Sequence, residues 1–190
     1  WFHEANQCGL GDELEAHAIE CALARGIPNQ DVYVACNVSP AVVLNGNLPA
    51  ALRDADLSRV VLEITEHSTV EDYSRLEHCL TPLRDRGMRL SVDDAGAGHS
   101  SFRHILSLHP DYIKLDMSLT RDIDTDRARR ALAAALIGFA RETGSELIAE
   151  GVETPSELAT LRELGVHKAQ GYLLGRPAPF EVAQQLVTSR

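Results

Sequence analysis

The sequence lacks long apolar runs, paired cysteines and a basic N-terminal leader. No stretch of about 18 apolar residues occurs in the 190 residues, so we expect no membrane span. The four cysteines are scattered without a CxxC pair, which argues against a zinc site or a disulfide framework and for reduced thiols. The acidic start has no basic region followed by an apolar one, so we expect no secretory signal and a cytoplasmic protein.

Basic and aromatic residues are also scarce. Lysine and arginine number 18 against 28 acidic residues, which gives a net charge of -10, and aromatic residues make up 5% of the chain. Without a basic stripe, binding to duplex nucleic acid is excluded as a general function. An acidic protein repels phosphate groups unless divalent cations compensate. The composition therefore indicates that a phosphate-bearing substrate would bind together with divalent cations.

What the sequence does contain is a regular alternation of strand-like and helix-like segments. The apolar content of 44% is enough to bury one globular core. Alternation at this spacing predicts parallel βαβ units, in either a doubly wound sheet or a (β/α) barrel. The predicted strands are 31–37, 59–64, 88–93, 111–116, 146–150 and 167–173. The predicted helices are 11–25, 48–55, 70–86, 100–107, 126–143, 155–164 and 179–188.

Each predicted strand carries a charged or amide side chain at or near its C-terminal end. These residues are Asn37, Glu63, Asp93, Lys114, Glu150 and Gln170. Polar side chains at the same end of successive apolar strands are costly to bury unless they converge on a ligand. A barrel draws its site from the ends of many strands, whereas an open sheet gathers its ligand at one switch point. Six contributing strands favour the barrel.

The oxygen donors at these strand ends indicate a site for hard cations. Carboxylates and an amide, without a His/Cys pairing, suit Mg²⁺ or Mn²⁺ rather than zinc. Two such ions would neutralise a phosphodiester and lower the pKa of a bridging water. Lys114 could orient that water and Gln170 could hydrogen-bond to it. Phosphodiester hydrolysis is the chemistry that fits best.

Six motifs resemble, in order and spacing, those of the EAL domain family. They are CNVSP at 36–40, LEITE at 62–66, DDAGAGHSS at 93–101, DYIKLD at 111–116, AEGVET at 149–154 and QGYLLGRPAPF at 170–180. The resemblance implies an α/β fold, a modified TIM (β/α)8 barrel. It also implies a phosphodiesterase that uses two Mg²⁺ or Mn²⁺ ions to linearise the bacterial second messenger cyclic di-GMP to pGpG.

The resemblance also assigns roles to single residues. It implies metal ligands at Asn37, Glu63, Asp93 and Asp94, with Glu150 beside the metals. It places Lys114 and Gln170 at the catalytic water and Asp116 near a guanine. It also implies that Glu66 braces the loop after Asp94 and that Glu153 supports the residues around the metals. Tyr172 and Phe180 either stack on a guanine or fill the core, and the sequence leaves both readings open.

The chain departs from the family pattern in two places. The common DDFGTG is DDAGAG here, so Ala95 and Ala97 replace a phenylalanine and a threonine. The name-giving Glu-Ala-Leu segment and the first two strands are absent from residues 1–190, which we interpret as one EAL domain without its N-terminal strands. That absence indicates either a truncated domain or a natural variant that fills the gap by pairing with another subunit.

Three functional hypotheses therefore stand beside each other. The leading hypothesis is the phosphodiesterase, because the metal ligands other than the missing glutamate are present. The alternative is a non-catalytic receptor of cyclic di-GMP, which the missing first strands would favour. A third is another metal-assisted barrel enzyme that forms an enolate. For the family, the resemblance further implies a homodimer and upstream sensory or cyclase domains in the full-length protein.

Overall fold

The structure is a computed structural model that describes residues 1–26, 32–64, 70–95 and 100–179. The first half contains α1 (Phe2–Gln7), α2 (Gly11–Ala24), β1 (Val34–Asn37), α3 (Pro40–Leu44), α4 (Leu48–Ala51), a 3-10 turn (Leu57–Arg59), β2 (Val60–Ile64), α5 (Tyr73–Arg84) and β3 (Arg89–Ala95). The second half contains α6 (Ser100–Leu108), β4 (Tyr112–Leu115), α7 (Met117–Thr120), α8 (Arg127–Thr143), β5 (Glu146–Ala149), α9 (Pro155–Glu163) and β6 (Lys168–Ala169). None of the helices in these ranges is long and apolar enough to cross a bilayer.

The chain divides into two compact units. The first unit comprises Trp1–Val92 and Arg103–Pro110, and the second comprises Asp93–Phe102 and Asp111–Arg190. β3 crosses from the first unit into the second at Asp93.

The first unit is built on parallel pairing of β2 with its two neighbours. In register, Asn37 of β1 lies opposite Glu63 of β2, and Glu63 lies opposite Ser91 of β3. All five residues of β2 are buried, as expected for a strand covered on both faces. Its core contains Val42, Leu48, Leu52, Leu62, Ile64, Leu76, Leu80 and Leu90. The register fixes Asn37 and Glu63 at the same end of neighbouring strands.

Helix α5 shows why these segments fold as they do in the first unit. Leu76, Leu80 and Leu83 recur at helical spacing and are buried. The helix begins after Asp72, whose side chain accepts a hydrogen bond from the Arg75 N–H at 2.9 Å. The apolar stripe and the cap together explain a helix that carries a proline, Pro82, near its end.

The second unit contains the end of β3 and the parallel strands β4, β5 and β6. Lys114 lies opposite Ile148, and Ile148 lies opposite Lys168. The N–H of Asp116 donates to the Ala95 carbonyl at 3.2 Å, which joins the end of β4 to the end of β3. Helix α8 covers this unit with four buried residues, Ala133, Leu136, Ile137 and Ala140.

Most predicted elements are present with ends shifted by a few residues, and three predictions need correction. The predicted strand 167–173 is wrong beyond Ala169, because Gly171–Leu174 form a turn in which the Leu174 N–H donates to the Gly171 carbonyl at 3.0 Å. The helix predicted at 48–55 ends at Ala51. Asp116 is not a strand residue, because it caps α7. Most of the helix predicted at 179–188 lies outside the described residues.

Candidate functional site

Lys114 is the buried centre of a charged cluster in the second unit. Its side chain lies on β4 and the residue is 5% exposed. The Nζ atom contacts Asp93 Oδ1 at 3.0 Å and Glu150 Oε1 at 2.8 Å. These carboxylates belong to β3 and to the residue that follows β5. A buried ammonium is tolerated when carboxylates compensate its charge, so the three strands bring these groups together for an electrostatic reason.

Asp94 adds a third carboxylate to this cluster. One oxygen each from Asp93, Asp94 and Glu150 lie within 4.8 Å of one another. Opposite oxygen ligands of a single Mg²⁺ ion stand about 4 Å apart, so the three donors have the scale of one cation site. They carry three negative charges against the one positive charge of Lys114. The donor set therefore fits a hard divalent ion in both charge and chemistry.

The backbone at Asp94 has an unusual conformation. Its φ is +56°, in the left-handed region that side chains other than glycine rarely adopt. The Asp94 N–H donates to Asp93 Oδ1 at 3.0 Å. A conformation of this kind costs roughly 1–3 kcal/mol and is found most often at functional sites. The two neighbouring aspartates are thus held in a defined orientation relative to each other.

Glu150 is positioned from two sides. Burial raises the pKa of the Glu150 carboxyl to about 6. The hydrogen bond and charge of Lys114 lower this pKa, whereas the negative charges of Asp93 and Asp94 raise it further. Gln170, directly after β6, donates from Nε2 to Glu150 Oε1. The Gln170 N–H also donates to the Ala149 carbonyl at 2.8 Å. The structure therefore brings five of the residues predicted from the sequence together in this unit: Asp93, Asp94, Lys114, Glu150 and Gln170.

Two other predicted residues of this unit make different contacts. Asp116 Oδ1 accepts a hydrogen bond from the Ser118 N–H at 2.9 Å and thereby starts α7. Glu153 is exposed and pairs with Arg121, with Oε1 3.1 Å from Nη2. The roles of Asp116 at a guanine and of Glu153 as a supporting residue remain predictions.

Asn37 and Glu63 lie side by side in the first unit. They occupy matching positions at the ends of β1 and β2, and the Val38 N–H donates to the Glu63 carbonyl at 2.9 Å. Asn37 is exposed, whereas Glu63 is 9% exposed. Burial, followed by the charge of Glu63, raises the pKa of the Cys36 thiol to about 11, so this thiol is unreactive. The side-by-side placement is the one that the strand ends predict.

Some predicted site residues have no structural description. Glu66 and Ala97 lie outside the described residues, as does Phe180. Asn37 and Glu63 belong to the first unit, and Asp93 and Asp94 belong to the second. The assignment of all four as ligands of one metal centre therefore remains a prediction.

A cavity beside Gln170 was not predicted from the sequence. It has a volume of ≈ 650 Å³ and lies within the second unit. Its lining includes Met117, Gly171, Tyr172 and Arg176. The Arg176 guanidinium lies over the Tyr172 ring, 4.3 Å from its centroid. Tyr172 is 55% exposed, so it does not fill the core.

The role of Glu157 was also not predicted from the sequence. The residue is 4% exposed and accepts hydrogen bonds from the N–H groups of Glu153 and Thr154, both at 2.9 Å, and of Asp122 at 3.1 Å. With Thr154 it forms a capping box at the start of α9. The Thr-x-x-Glu spacing of residues 154–157 is the signal that could have identified it. This carboxylate fixes the turn that follows Glu150.

The fold and the cluster together define a parallel α/β protein with a group of oxygen donors at the ends of its strands. The family comparison is consistent with that class. The model of the EAL domain matches residues 1–177, and the chain belongs to the EAL domain family. The predicted family and the predicted EAL-type fold are thereby confirmed.

Relatives with known names share the sequence over most of this chain. It is 36% identical over 174 residues to the cyclic di-GMP phosphodiesterase PA2567 of Pseudomonas aeruginosa, covering 88% of this chain and 30% of that protein. It is 34% identical to the probable cyclic di-GMP phosphodiesterase PdeD of Escherichia coli, covering 78% of this chain and 28% of that protein. The chain thus spans less than a third of the length of these relatives.

Solved structures share the fold. The PaMucR phosphodiesterase in complex with c-di-GMP superposes with a TM-score of 0.83 at 27% identity, covering 96% of this chain and 84% of that chain. BlrP1 of Klebsiella pneumoniae, in a calcium and cyclic di-GMP complex, has a TM-score of 0.73 at 31% identity, covering 88% of this chain and 44% of that chain.

Proposed function

We propose that this chain is the EAL domain of a metal-dependent phosphodiesterase that hydrolyses cyclic di-GMP to linear pGpG. The observation that carries the proposal is the arrangement of Asp93, Asp94 and Glu150 around the buried Lys114. Relatives that share this fold are named cyclic di-GMP phosphodiesterases. Carboxylates beside a fixed ammonium group are an arrangement that suits metal-assisted hydrolysis of a phosphodiester.

The cofactor in this proposal is a pair of Mg²⁺ or Mn²⁺ ions. Asp93 and Asp94 would hold them in the second unit, and Asn37 and Glu63 are the ligands predicted from the first unit. When bound, such ions neutralise the phosphodiester and lower the pKa of a water molecule that can attack phosphorus. The solved BlrP1 complexes contain calcium or manganese together with the cyclic dinucleotide, which supports a divalent ion here.

Lys114, Glu150 and Gln170 would orient the reacting groups. The Lys114 ammonium is bound to Asp93 and Glu150, so it holds two carboxylates in fixed positions. Its positive charge suits a phosphate oxygen on which negative charge develops during the reaction. Gln170, which follows the neighbouring strand β6, holds Glu150 by a hydrogen bond from Nε2 to Oε1. Preorganised donors of this kind lower the barrier because they need not rearrange during the reaction.

The cavity beside Gln170 suits a purine base. The face of Tyr172 and the planar guanidinium of Arg176 are surfaces on which an aromatic base can stack. Gly171 has φ +153°, and a Cβ atom there would lie 2.2 Å from the Val152 nitrogen. A glycine is therefore required for the close contact between the two loops that line this cavity. We assign the cavity to a guanine of the substrate.

The direct test is turnover by the protein in its full natural length. Incubation with cyclic di-GMP and Mn²⁺, followed by chromatography, should yield pGpG. The variant Asp94→Asn keeps the shape of the side chain but removes a charge from the cation site, and it should yield no product. Glu163→Gln alters an exposed pair with Arg130 and should leave turnover unchanged. Absence of product from the folded protein with both Mn²⁺ and Mg²⁺ would reject the proposal.

The same samples distinguish the phosphodiesterase from the alternative, a non-catalytic receptor. Its supporting observation is that Ala95, buried at 1% exposure, stands where the family has a phenylalanine. Calorimetry that shows binding of cyclic di-GMP without any pGpG would establish the receptor instead. The enolate-forming enzyme is disfavoured because the family model covers residues 1–177.

The predicted ligands of the first unit need a separate measurement. Glu63→Gln should lower the affinity for Mn²⁺ by about tenfold or more and abolish turnover, because a ligand charge is lost. Its free energy of unfolding should change less than that of a core variant such as Leu62→Ala, which loses about 2–5 kcal/mol. Unchanged Mn²⁺ affinity in Glu63→Gln would remove Glu63 from the metal centre.

We also propose the cellular context that the relatives suggest. MucR of Pseudomonas aeruginosa, named a bifunctional diguanylate cyclase and cyclic di-GMP phosphodiesterase, is 32% identical, and this chain spans 24% of its length. A cytoplasmic homodimer with sensory or cyclase domains upstream is consistent with that organisation. Light scattering on the full-length protein tests the dimer.

A further inference from the structure

Helix α2 carries a histidine, a glutamate and a cysteine in contact with one another. His17 Nε2 lies 3.5 Å from Cys21 Sγ, and His17 Nδ1 lies 3.4 Å from Glu20 Oε2. The side chains of His17 and Glu20 are 68% and 63% exposed, and Cys21 is exposed. These residues belong to the first unit and have no part in the proposed hydrolysis.

The distance between Cys21 Sγ and His17 Nε2 matches the spacing of two ligands on one zinc ion. A Zn–S bond of about 2.3 Å and a Zn–N bond of about 2.05 Å at a tetrahedral angle place sulfur and nitrogen about 3.5 Å apart. The observed distance between Sγ and Nε2 is 3.5 Å. We propose that His17 and Cys21 form a surface site for Zn²⁺ in which Glu20 orients the histidine.

Each of the three side chains has a distinct task in this site. A thiolate and a neutral imidazole are ligands that select zinc over magnesium. A proton on Nδ1 donated to Glu20 leaves the lone pair of Nε2 for the metal, as in the carboxylate–histidine–zinc arrangement of many zinc proteins. Formation of the Zn–S bond releases the thiol proton of Cys21 to solvent. Water molecules complete the tetrahedron.

The surroundings of the site are open and largely acidic. Glu13, one turn before His17, lines with His17 and Glu20 a cavity of ≈ 280 Å³ against Asn47 and Ala50. The cavity has room for the water ligands, and Glu13 and Glu20 attract a cation. Arg25 follows the helix one turn after Cys21, and its positive charge opposes the cation.

The prediction of no zinc site from the sequence concerned a different pattern. It rested on the absence of a CxxC pair, whereas this site uses a single cysteine and a histidine four residues earlier. Residues four apart lie on the same face of a helix, so the backbone of α2 holds both ligands in place. The helical spacing His-x-x-x-Cys therefore carries the inference.

The test uses Cd²⁺ as a probe, because its bond to a thiolate gives an ultraviolet charge-transfer band that oxygen ligands do not give. Titration of the reduced full-length protein should produce this band, and an excess of Zn²⁺ should abolish it. Cys21→Ser should remove the band, and His17→Ala should weaken Cd²⁺ binding by about tenfold or more. Cys8→Ser removes an exposed cysteine outside α2 and should leave the band and the Cd²⁺ affinity unchanged.

Thermal unfolding supplies an independent readout. Zn²⁺ joins two turns of α2, so it should raise the melting temperature of the protein more than it raises that of Cys21→Ser, with Mg²⁺ in excess to occupy the oxygen-donor site. Glu20→Gln should bind about tenfold more weakly, because the histidine loses its orienting partner. An unchanged band in Cys21→Ser, or unchanged affinity in His17→Ala, would overturn the proposal.

Discussion

At the scale of single residues, the charge of Lys114 holds the candidate site together. Its ammonium is bound to Asp93 and Glu150, and the three side chains are 6%, 14% and 13% exposed. Removal of one member of a buried ion pair typically destabilises a protein by about 3–5 kcal/mol, because the remaining charges are left uncompensated. The stability of the protein and the chemistry of its site therefore depend on the same residue.

We predict that Lys114→Met lowers turnover by about a hundredfold or more and lowers the free energy of unfolding in metal-free buffer. A divalent ion would supply the charge that the variant lacks, so Mn²⁺ should stabilise Lys114→Met more than it stabilises the unaltered protein. Chemical unfolding with and without Mn²⁺ measures this difference.

Lys168→Met is the matched control for this prediction. Lys168 pairs with the exposed Glu146 on the neighbouring strand, with side-chain exposures of 33% and 60%. Exposed pairs contribute about 0–1 kcal/mol, so this variant should show neither the stability loss nor the added response to Mn²⁺. An equal response of the two variants to Mn²⁺ would show that Lys114 has no special role.

The sequence predicted some of these residue-level features and missed others. Its strand ends and the family motifs gave Asp93, Lys114, Glu150 and Gln170, which the structure brings together. The left-handed conformation of Asp94 was not predictable, because it depends on the tertiary setting rather than on local preference. Asp116 was predicted in a strand because it follows an apolar run, but its short side chain caps α7.

At the scale of elements, the start of α9 connects helix capping to the position of Glu150. Burial by itself raises the pKa of the Glu157 carboxyl, but the backbone N–H donors of Glu153, Asp122 and Thr154 outweigh burial and hold the pKa below its usual value. A lowered pKa means that the folded protein favours the ionised carboxylate. The interaction therefore stabilises the fold above the pKa of an unfolded glutamate, about 4.3, and is lost as the pH falls through the lowered value.

We predict that Glu157→Ala lowers the free energy of unfolding at neutral pH by about 1–3 kcal/mol, because buried N–H groups lose their acceptor. The difference from the unaltered protein should shrink as the pH falls below about 4, since the carboxylate of the unaltered protein is then protonated. Urea unfolding across this pH range measures both effects.

A second glutamate of the same helix serves as the control. Glu163 is exposed and pairs with Arg130, so Glu163→Ala should change stability by less than about 1 kcal/mol at any of these pH values. A difference between Glu157→Ala and the unaltered protein that stays constant with pH would contradict the capping explanation.

The long elements were predictable because capping residues in the sequence mark where they begin and end. Helix α8 begins after Asp126, whose side chain accepts from the Ala128 N–H at 2.8 Å, and ends at Gly144 with φ +76°. The short helices α1, α3 and α7 were missed because four to six residues show no reliable periodicity. β6 was predicted too long because Tyr172 has a strand-like side chain, although the residue is exposed.

At the scale of the whole molecule, the net charge of -10 opposes binding of a substrate that carries two phosphates. The cluster of Asp93, Asp94 and Glu150 is the proposed local exception, since a divalent ion held there would bring positive charge to the strand ends. Binding of cyclic di-GMP should therefore require a divalent ion and should weaken as chelator is added. The requirement follows from the charge of the protein, so both the phosphodiesterase and the receptor would show it.

The identity of the ion should separate binding from hydrolysis. Ca²⁺ takes 6–8 oxygen ligands at about 2.3–2.6 Å, whereas Mg²⁺ requires octahedral geometry at about 2.0–2.1 Å. We predict that Ca²⁺ supports binding of cyclic di-GMP but not its hydrolysis, because its longer and more variable bonds misplace the attacking water. Calorimetry and product chromatography on the same samples measure the two properties.

The control for this prediction adds Ca²⁺ to an active sample that contains Mn²⁺. Inhibition that is relieved by more Mn²⁺ would show that the ions compete for one site, as the cluster of Asp93, Asp94 and Glu150 requires. Asp94→Asn should lose both the inhibition and the activity, because it lacks a ligand that both ions need. Turnover with Ca²⁺ as fast as with Mn²⁺ would show that precise ion geometry does not limit the reaction, and the role of the strand-end carboxylates would then be charge compensation alone.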